Sequence, residues 1–368
     1  MRRFRPTVVE VDLDAVRRNV RRLLVEDAGL MAVVKADGYG HGDAEVARAA
    51  LEAGAGWLGV ALVEEGLGLR DRGIDAPILV LSEFPAGSEK EALAGDLTPS
   101  VYTREGLAAL AEAARAGGRA VGVHLKLDTG MHRVGVWPPE EGPAFARDIA
   151  EAGLRLDGVW THFPDAERDD DGTRARLARF RAVLERMRAA GVAPSLAHAA
   201  NSAATIRVPE SRLDLVRPGA AVYGLDPGDG IGPAAGLEPA LTWRSAVSMV
   251  KRLLPGERVS YGGRFLVDRA STIATVPVGY DDGFPRSAEG RAEVLVRGRR
   301  CPVIGAVTMD QILVDCGDDE VVAGDEVVIA GAQGAERISL DDLASACGTI
   351  GRELATGIGA RVPREYLG

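Results

Sequence analysis

Cysteine is scarce. Cys301, Cys316 and Cys347 are the only three in 368 residues, and their scatter matches neither a disulfide framework nor the spacing of metal ligands. So few thiols suit a reducing compartment, which makes a cytoplasmic protein without a metal the expectation. Positive charge is also in short supply. Lys and Arg number 44 against 54 Asp and Glu, a formal net charge of −10, whereas a nucleic-acid binder carries a basic footprint. No apolar run approaches the about 20 residues of a membrane-spanning helix. The basic start, MRRFRPTVVEVDLD, meets Glu10, Asp12 and Asp14 before any signal-peptide core can form. Neither an internal repeat nor a low-complexity tract is present.

What remains is an ordinary globular composition, 46% hydrophobic and 27% charged. The length suits two domains, because one core seldom grows past about 250–300 residues. Eight short apolar runs recur from about residue 14 to 225: LMAVVKA, WLGVAL, PILVLSE, LTPSVYT, VGVHLKLDT, LRLDGVWTHF, PSLAHAANS and LDLVRPGA. Between them lie amphipathic helical patterns such as DAEVARAALEAG, TREGLAALAEAARAGG and TRARLARFRAVLERMRAAG, several closing on glycine as helix C-termini do. Strands that read as apolar runs, each followed by a helix, indicate a parallel sheet covered on both faces. Eight such units predict an α/β fold with an N-terminal (β/α)8 TIM-like barrel. An open doubly wound sheet is the competing topology. Beyond about residue 235 strand-like segments crowd together with Gly and Pro between them, which predicts a C-terminal mainly-β domain. DPGDGIGPAAG at 226–236 has linker composition. The expected division is 1–13 as a strand joining the β domain, 14–230 as the barrel and 231–368 as the β domain. GAGWLG at 54–59 spells G-x-G-x-x-G, but it follows a helix and enters a strand, the reverse of a dinucleotide fingerprint, and reads as a helix stop.

In a (β/α)8 barrel the functional side chains sit at the C-terminal ends of strands. VVKADGYGHG at 33–42 places Lys35 there for strand one, with Tyr39 beyond it and His41 in a turn without an evident role. Lysine is rarely buried unless paired or at work. Strand five ends near Lys126 and Asp128, with Arg133 beyond. Strand six ends at His162, strand seven near Asn201 and Ser202, and strand eight at Arg217, followed by Pro218, Gly219 and Ala220. Singly, each is an ordinary surface or core residue; their alignment on one face is what points to a site. The set suits a phosphate-bearing carbonyl ligand. The loops after strands seven and eight offer Ser202 and the backbone of PGA to an anion. An amine beside an apolar wall forms a Schiff base once its basicity falls. Pyridoxal 5′-phosphate meets both requirements, with Arg217 as the candidate partner of its ring nitrogen. A guanidinium stays protonated and leaves that nitrogen unprotonated, which makes a weaker electron sink suited to proton exchange at Cα.

The same stretches resemble those of alanine racemases. VVKADGYGHG is similar to the family's cofactor-lysine motif. KLDTGMHRVGV, THF, HAANSAA, VRPGAAVYG, VSYGGRF, VPVGYDDGFPR, TMDQILVD and RVPREY follow in the family's order and spacing over nearly the whole chain. The resemblance implies a fold-type III pyridoxal-phosphate enzyme, a barrel plus a β domain, paired head-to-tail as a homodimer with shared active sites. Its activity would interconvert L- and D-alanine and supply D-alanine for peptidoglycan. It implies Lys35 as cofactor lysine and base on one face of Cα, and Tyr261 of the partner subunit as base on the other. It also implies Arg133 near the phenol and the substrate carboxylate, Lys126 as a candidate N6-carboxylysine orienting Arg133, and His162 supporting Arg217. Tyr39, Ser202, Gly219 and Ala220 would hold the phosphate. Met309 and Asp310 of the partner subunit would line the substrate pocket, with Tyr280 narrowing its entrance. The chain departs from the family pattern at Ala360, where many members carry a phosphate-binding tyrosine, and at Ala306 and Thr308, which replace an arginine and a cysteine. A broader-specificity racemase on the same scaffold is the alternative. A decarboxylase would usually pair the ring nitrogen with an acid, which Arg217 opposes, and a bare cofactor carrier has no use for Tyr261.

Overall fold

Eight parallel strands, rich in Val, Leu and Ile, follow one another in the computed structural model, which describes residues 4–368. They are Gly29–Val33, Trp57–Val60, Ile78–Val80, Leu97–Val101, Gly122–Lys126, Arg155–Trp160, Leu196–His198 and Leu215–Val216. Each pairs with its successor from the first to the seventh, and the eighth pairs back onto the first through Gly29↔Leu215 and Leu30↔Val216. The ladder left open lies between the seventh and eighth. Hydrogen bonds bridge it, among them Asp214 N–H to Ala197 O at 3.0 Å, Arg217 N–H to Ala200 O at 2.9 Å, and Ala197 N–H to Asp214 Oδ2 at 2.6 Å. The expected barrel is therefore present and nearly closed. Some helices between the strands start where a side chain caps them. Thr103 accepts from Gly106 N–H, and Asp169 from Gly172 N–H. GAGWLG joins the helix Asp43–Glu52 to the strand Trp57–Val60, as a helix stop should.

The barrel belongs to a compact unit made of Val16–Gly38 and Asp43–Glu238. The second unit gathers the chain up to Ala15, Tyr39–Gly42 and Pro239–Gly368. Its main sheet runs in the order Met249–Leu253, Ser271–Val276, Ile312–Asp315, Arg299–Ile304, Glu293–Val296, Glu326–Gln333, Leu241–Ala246, Val8–Asp12 and Arg364–Leu367, so it is mainly β as expected. The N-terminal strand Val8–Asp12 lies antiparallel to Leu241–Ala246 and parallel to Arg364–Leu367. Trp243 is wholly buried in this unit, with its ring 6.2 Å from that of Phe284.

All three cysteines are free and buried, as the lack of a disulfide framework in the sequence implies. The register Val303↔Val314 brings Cys301 opposite Cys316, close enough for the proton affinity of Cys301 to fall and that of Cys316 to rise. Antiparallel pairing joins positions that sequence distance keeps apart. Among the described residues no helix is long and apolar enough to cross a membrane.

Candidate active site

The first barrel strand ends at Val33, two residues short of Lys35. The turn after it is not made by glycine alone. Ala36, Asp37 and Tyr39 join Gly38 in the left-handed region, with φ between 51° and 58°. For non-glycine residues this costs roughly 1–2 kcal/mol each. Glu65, unremarkable in the sequence, offsets part of that cost. Its carboxylate accepts from Ala36 N–H at 2.7 Å and from Ala61 and Leu62 N–H at 2.8 and 3.1 Å. Lys35 is half-buried, and burial pulls its amine below the ordinary lysine range. The Arg133 guanidinium adds to this and Glu65 opposes it.

Tyr39–Gly42 is counted with the β-rich unit. Burial raises the Tyr39 phenol, while Arg352 acts against the rise. Gly40 has φ +79°, and a Cβ there would collide with the Ala355 carbonyl. His41, without a role from sequence alone, is fully buried and donates from Nδ1 to the Tyr39 carbonyl at 2.9 Å, closing the turn.

The fifth and sixth strands deliver a cluster of positive and neutral bases. Burial pulls the amine of Lys126 down to about 7, helped by Arg133 and Arg217, and it lies 4.2 Å from the Trp160 ring centroid. Asp128 accepts from Gly130 and Met131 N–H at 2.8 and 2.9 Å. Burial alone would raise its carboxyl, but these backbone donors hold it below the usual range and shape the turn towards Arg133. Arg133 itself is exposed. His162 is held well below the ordinary imidazole range by burial, then by Arg217, Lys126, Arg133 and Lys35. Arg133 therefore stands close enough to lower the proton affinity of Lys35, and Lys35, Arg133 and Arg217 close enough to lower that of Lys126 and His162.

Arg217 is buried. Its Nη1 donates to His198 Nδ1 at 2.9 Å, and its Nη2 to Thr161 O at 2.7 Å and Ala199 O at 3.1 Å. No carboxylate partners it among the described residues. Burial lowers it to about 9, so it stays protonated at neutral pH. Three of its five N–H groups are engaged; Nε–H and one Nη1–H remain. The imidazole that hydrogen-bonds this guanidinium is that of His198, while His162 lies close enough to feel its charge. His198 ends the seventh strand with its ring inside the barrel, stacked on Trp160 at 5.7 Å. A histidine in an apolar run reads as core, which hid it in HAANSAA.

The loops after strands seven and eight meet at Ser202. Its Oγ accepts from Gly219 N–H at 2.9 Å and Ala221 N–H at 3.2 Å. What the loops can offer an anion is therefore the Ser202 hydroxyl hydrogen and the Ala220 N–H, rather than the whole PGA backbone.

In the β-rich unit, Tyr261, Tyr280, Met309 and Asp310 line one cavity of about 1030 Å³ together with Arg286 and the 306–311 loop. Tyr261 is 76% exposed. Ser260 Oγ donates to Ala306 O at 2.8 Å, Tyr280 N–H to Thr308 O at 3.0 Å, and Thr308 Oγ1 to Gln311 O at 2.8 Å. Thr308, a departure from the family pattern, thus closes its own hairpin turn. Arg361, quoted in RVPREY but given no role, grips Asp281 and donates to Asp310 at 2.7 Å. Ala360 beside it is exposed.

A family model described as "Alanine racemase, N-terminal domain" matches residues 11–227, and one described as "Alanine racemase, C-terminal domain" matches 240–366. The chain is 49% identical over 370 residues to an alanine racemase of Symbiobacterium thermophilum, covering 99% of this chain and 98% of the relative. It is 47% identical to one from Frankia casuarinae, covering 97% and 95%. The crystal structure of alanine racemase from Streptomyces lavendulae superposes with a TM-score of 0.94 at 42% identity, over 100% of this chain and 98% of that one. A Bacillus anthracis alanine racemase with bound L-Ala-P superposes with a TM-score of 0.91 at 36% identity, over 100% and 96%. Matches of this extent, over a barrel whose strand ends gather Lys35, Lys126, His162 and Arg217, show that the chain belongs to the alanine racemase family of isomerases.

Proposed function

We propose that the chain interconverts L- and D-alanine with pyridoxal 5′-phosphate and two bases, Lys35 and Tyr261 of the partner subunit, in a homodimer with shared active sites. The observation that carries the cofactor reading is Arg217. A buried guanidinium with Nε–H and one Nη1–H left over, and no carboxylate beside it, fits an acceptor such as a pyridine nitrogen. When bound, the cofactor supplies a carbonyl for amine attachment and a ring that delocalises charge from the substrate's Cα.

Every other task falls to this chain's own side chains. Lys35, whose lowered proton affinity makes its amine a readier nucleophile than an ordinary lysine, holds the cofactor covalently and exchanges a proton on one face of Cα. Arg217 donates to the ring nitrogen without giving up its proton, which limits charge delocalisation and favours reprotonation at Cα. Ser202, Ala220 and Tyr39 bind the phosphate, Gly219 places the Ser202 hydroxyl, and His162 lines the same site. Arg133 binds the substrate carboxylate. Lys126, neutral in part because its amine is drawn down to about 7, suits carboxylation, since only an unprotonated amine adds carbon dioxide. Its carbamate would then orient Arg133. Tyr261 of the partner subunit exchanges the proton on the opposite face. A phenol at its ordinary pKa of about 10 is a weak base, so cations such as Arg133 must stabilise its anion. Met309, Asp310 and Tyr280 of the partner subunit bound the space for the substrate's methyl group. D-Alanine made in the cytoplasm would serve peptidoglycan synthesis, and the buried free cysteines are compatible with that compartment.

Lys35→Ala tests the reading. It should abolish both the visible absorption of lysine-bound cofactor and racemisation. Racemisation retained in that variant would overturn the assignment.

A further inference from the structure

Arg217 stands at one end of a row of buried rings. Its Nη1 lies 2.9 Å from His198 Nδ1. His198 Nε2 lies 2.9 Å from His124 Nδ1. At the far end His124 Nε2 is buried and meets no hydrogen-bond partner among the described residues. Both rings are wholly buried. The sixth strand makes room for the second ring by carrying Gly158, where any Cβ would collide with the His124 ring.

A guanidinium donates and never accepts. His198 Nδ1 must therefore accept, which places the His198 proton on Nε2. That proton points at His124 Nδ1, which must accept in turn, so the His124 proton also sits on Nε2. One arginine thus sets the tautomers of two histidines. The opposite polarity would turn an N–H of His198 against an N–H of cationic Arg217. The polarity deduced here leaves instead a lone Nε2–H on His124, whose ring centroid is 5.5 Å from that of Trp57. A second proton on either ring would recreate a donor–donor clash. Burial works in the same direction, drawing His124 down to about 4 against the pull of Asp157, and His198 well below its usual range.

We infer that His124 is a positioning residue for racemisation: by accepting from His198 Nε2 it keeps His198 Nδ1 open to Arg217, and so holds the guanidinium that serves the cofactor's ring nitrogen. This rests on the cofactor reading above. Without an acceptor at 124, His198 loses the reason to keep its proton on Nε2, and the contact with Arg217 is weakened from behind.

The chain holds five histidines, so their signals can be separated. Full-length protein labelled with 15N in histidine is studied by long-range 1H–15N correlation, with and without pyridoxal 5′-phosphate, using His124→Asn and His198→Asn to assign the rings. Both rings should be neutral with the proton on Nε2 in either state. Asn at 124 puts an amide oxygen near the place of Nδ1, whereas Leu removes the acceptor. His124→Asn should keep the His198 tautomer and retain kcat within about two-fold. His124→Leu should leave His198 a tautomer mixture, alter the spectrum of the bound cofactor and lower kcat about ten-fold with KM nearly unchanged, the scale of one buried hydrogen bond. A proton on Nδ1 of His124, or a His124→Leu variant with unaltered His198 signal and kinetics, overturns the inference. If the leucine variant does not fold, the tautomers of the unaltered protein and the asparagine variant still decide. Correct tautomers in a protein that binds no pyridoxal 5′-phosphate would overturn the cofactor reading alone.

Discussion

The barrel and the β-rich unit treat their functional side chains in opposite ways. In the barrel, Lys126 and Arg217 are 3% and 4% exposed, and burial is the first cause of every shift in proton affinity among Lys35, Lys126, His162 and Arg217. In the β-rich unit, Tyr261, Met309 and Tyr280 are 76%, 50% and 43% exposed, and what orders them is the backbone of two loops plus Arg361. The barrel carries its chemistry already tuned, because desolvation and crowded cations act without any further partner. The β-rich unit presents shape and leaves the tuning to whatever covers it. A second copy of the chain, as proposed, would do this by placing Tyr261 beside the barrel's cations.

That contrast can be broken or sharpened by substitution. The largest effect is expected at Tyr261. Tyr261→Phe removes one general base, which should lower kcat by about 10²–10⁴-fold. L-to-D and D-to-L conversions should differ in solvent-deuterium incorporation, while thermal stability stays within about 0.5 kcal/mol of the unaltered protein, as at other exposed positions. A large stability loss would mean that the tyrosine is structural after all.

Acid is the next probe, and it should find the barrel. Unfolded histidines bind a proton below about pH 6.5, whereas His124 in the folded barrel resists until about 4 and His198 also lies well below its usual range. On acidification the unfolded state takes up protons first, so stability falls with pH in this window by about 1.4 kcal/mol per unit for each ring. Replacing both rings by asparagine should flatten that slope in denaturant titrations between pH 7 and 4.5. An unchanged slope would place the acid sensitivity elsewhere.

Packing provides a smaller test. Gly158→Ala puts a methyl group against the His124 ring, which should destabilise the protein by about 1–3 kcal/mol. The smallest effect belongs to Arg361→Ala. Its close ion pairs with Asp281 and Asp310 are exposed and only a longer contact reaches buried Asp282, so stability should change little. KM for alanine should nevertheless rise a few-fold as the 306–311 loop loosens, and an unchanged KM would show that the backbone alone holds the loop.

Much of the barrel was legible in the sequence. Apolar runs of strand length alternating with amphipathic helices carry their own period, so the eight strands could be placed without knowing any contact, and their ends to within a few residues. Lys35, Lys126 and Arg217 stood out because charge at the end of an apolar run is anomalous. Glu65 did not, since an acid in the first turn of a helix is unexceptional. His198 and His124 did not either, because a histidine inside an apolar strand looks like filling. The turn after Lys35 was legible as a turn, yet the left-handed backbone of Ala36, Asp37 and Tyr39 runs against residue preference and is held by contacts from elsewhere.

By itself the sequence determined the alternation of strand and helix, the change to crowded strands after about residue 235, and the motifs shared with alanine racemases. These are properties of neighbouring residues, written in local periodicity and in residue type. Only the tertiary structure decided that Arg217 leans on His198, that His198 reaches His124 across 74 positions, and that Arg361 grips Asp310 across 51. Those pairings depend on strand register and on which way a side chain points. A hydrogen bond made or lost at 3 Å is decided there, below the resolution of any pattern along the chain.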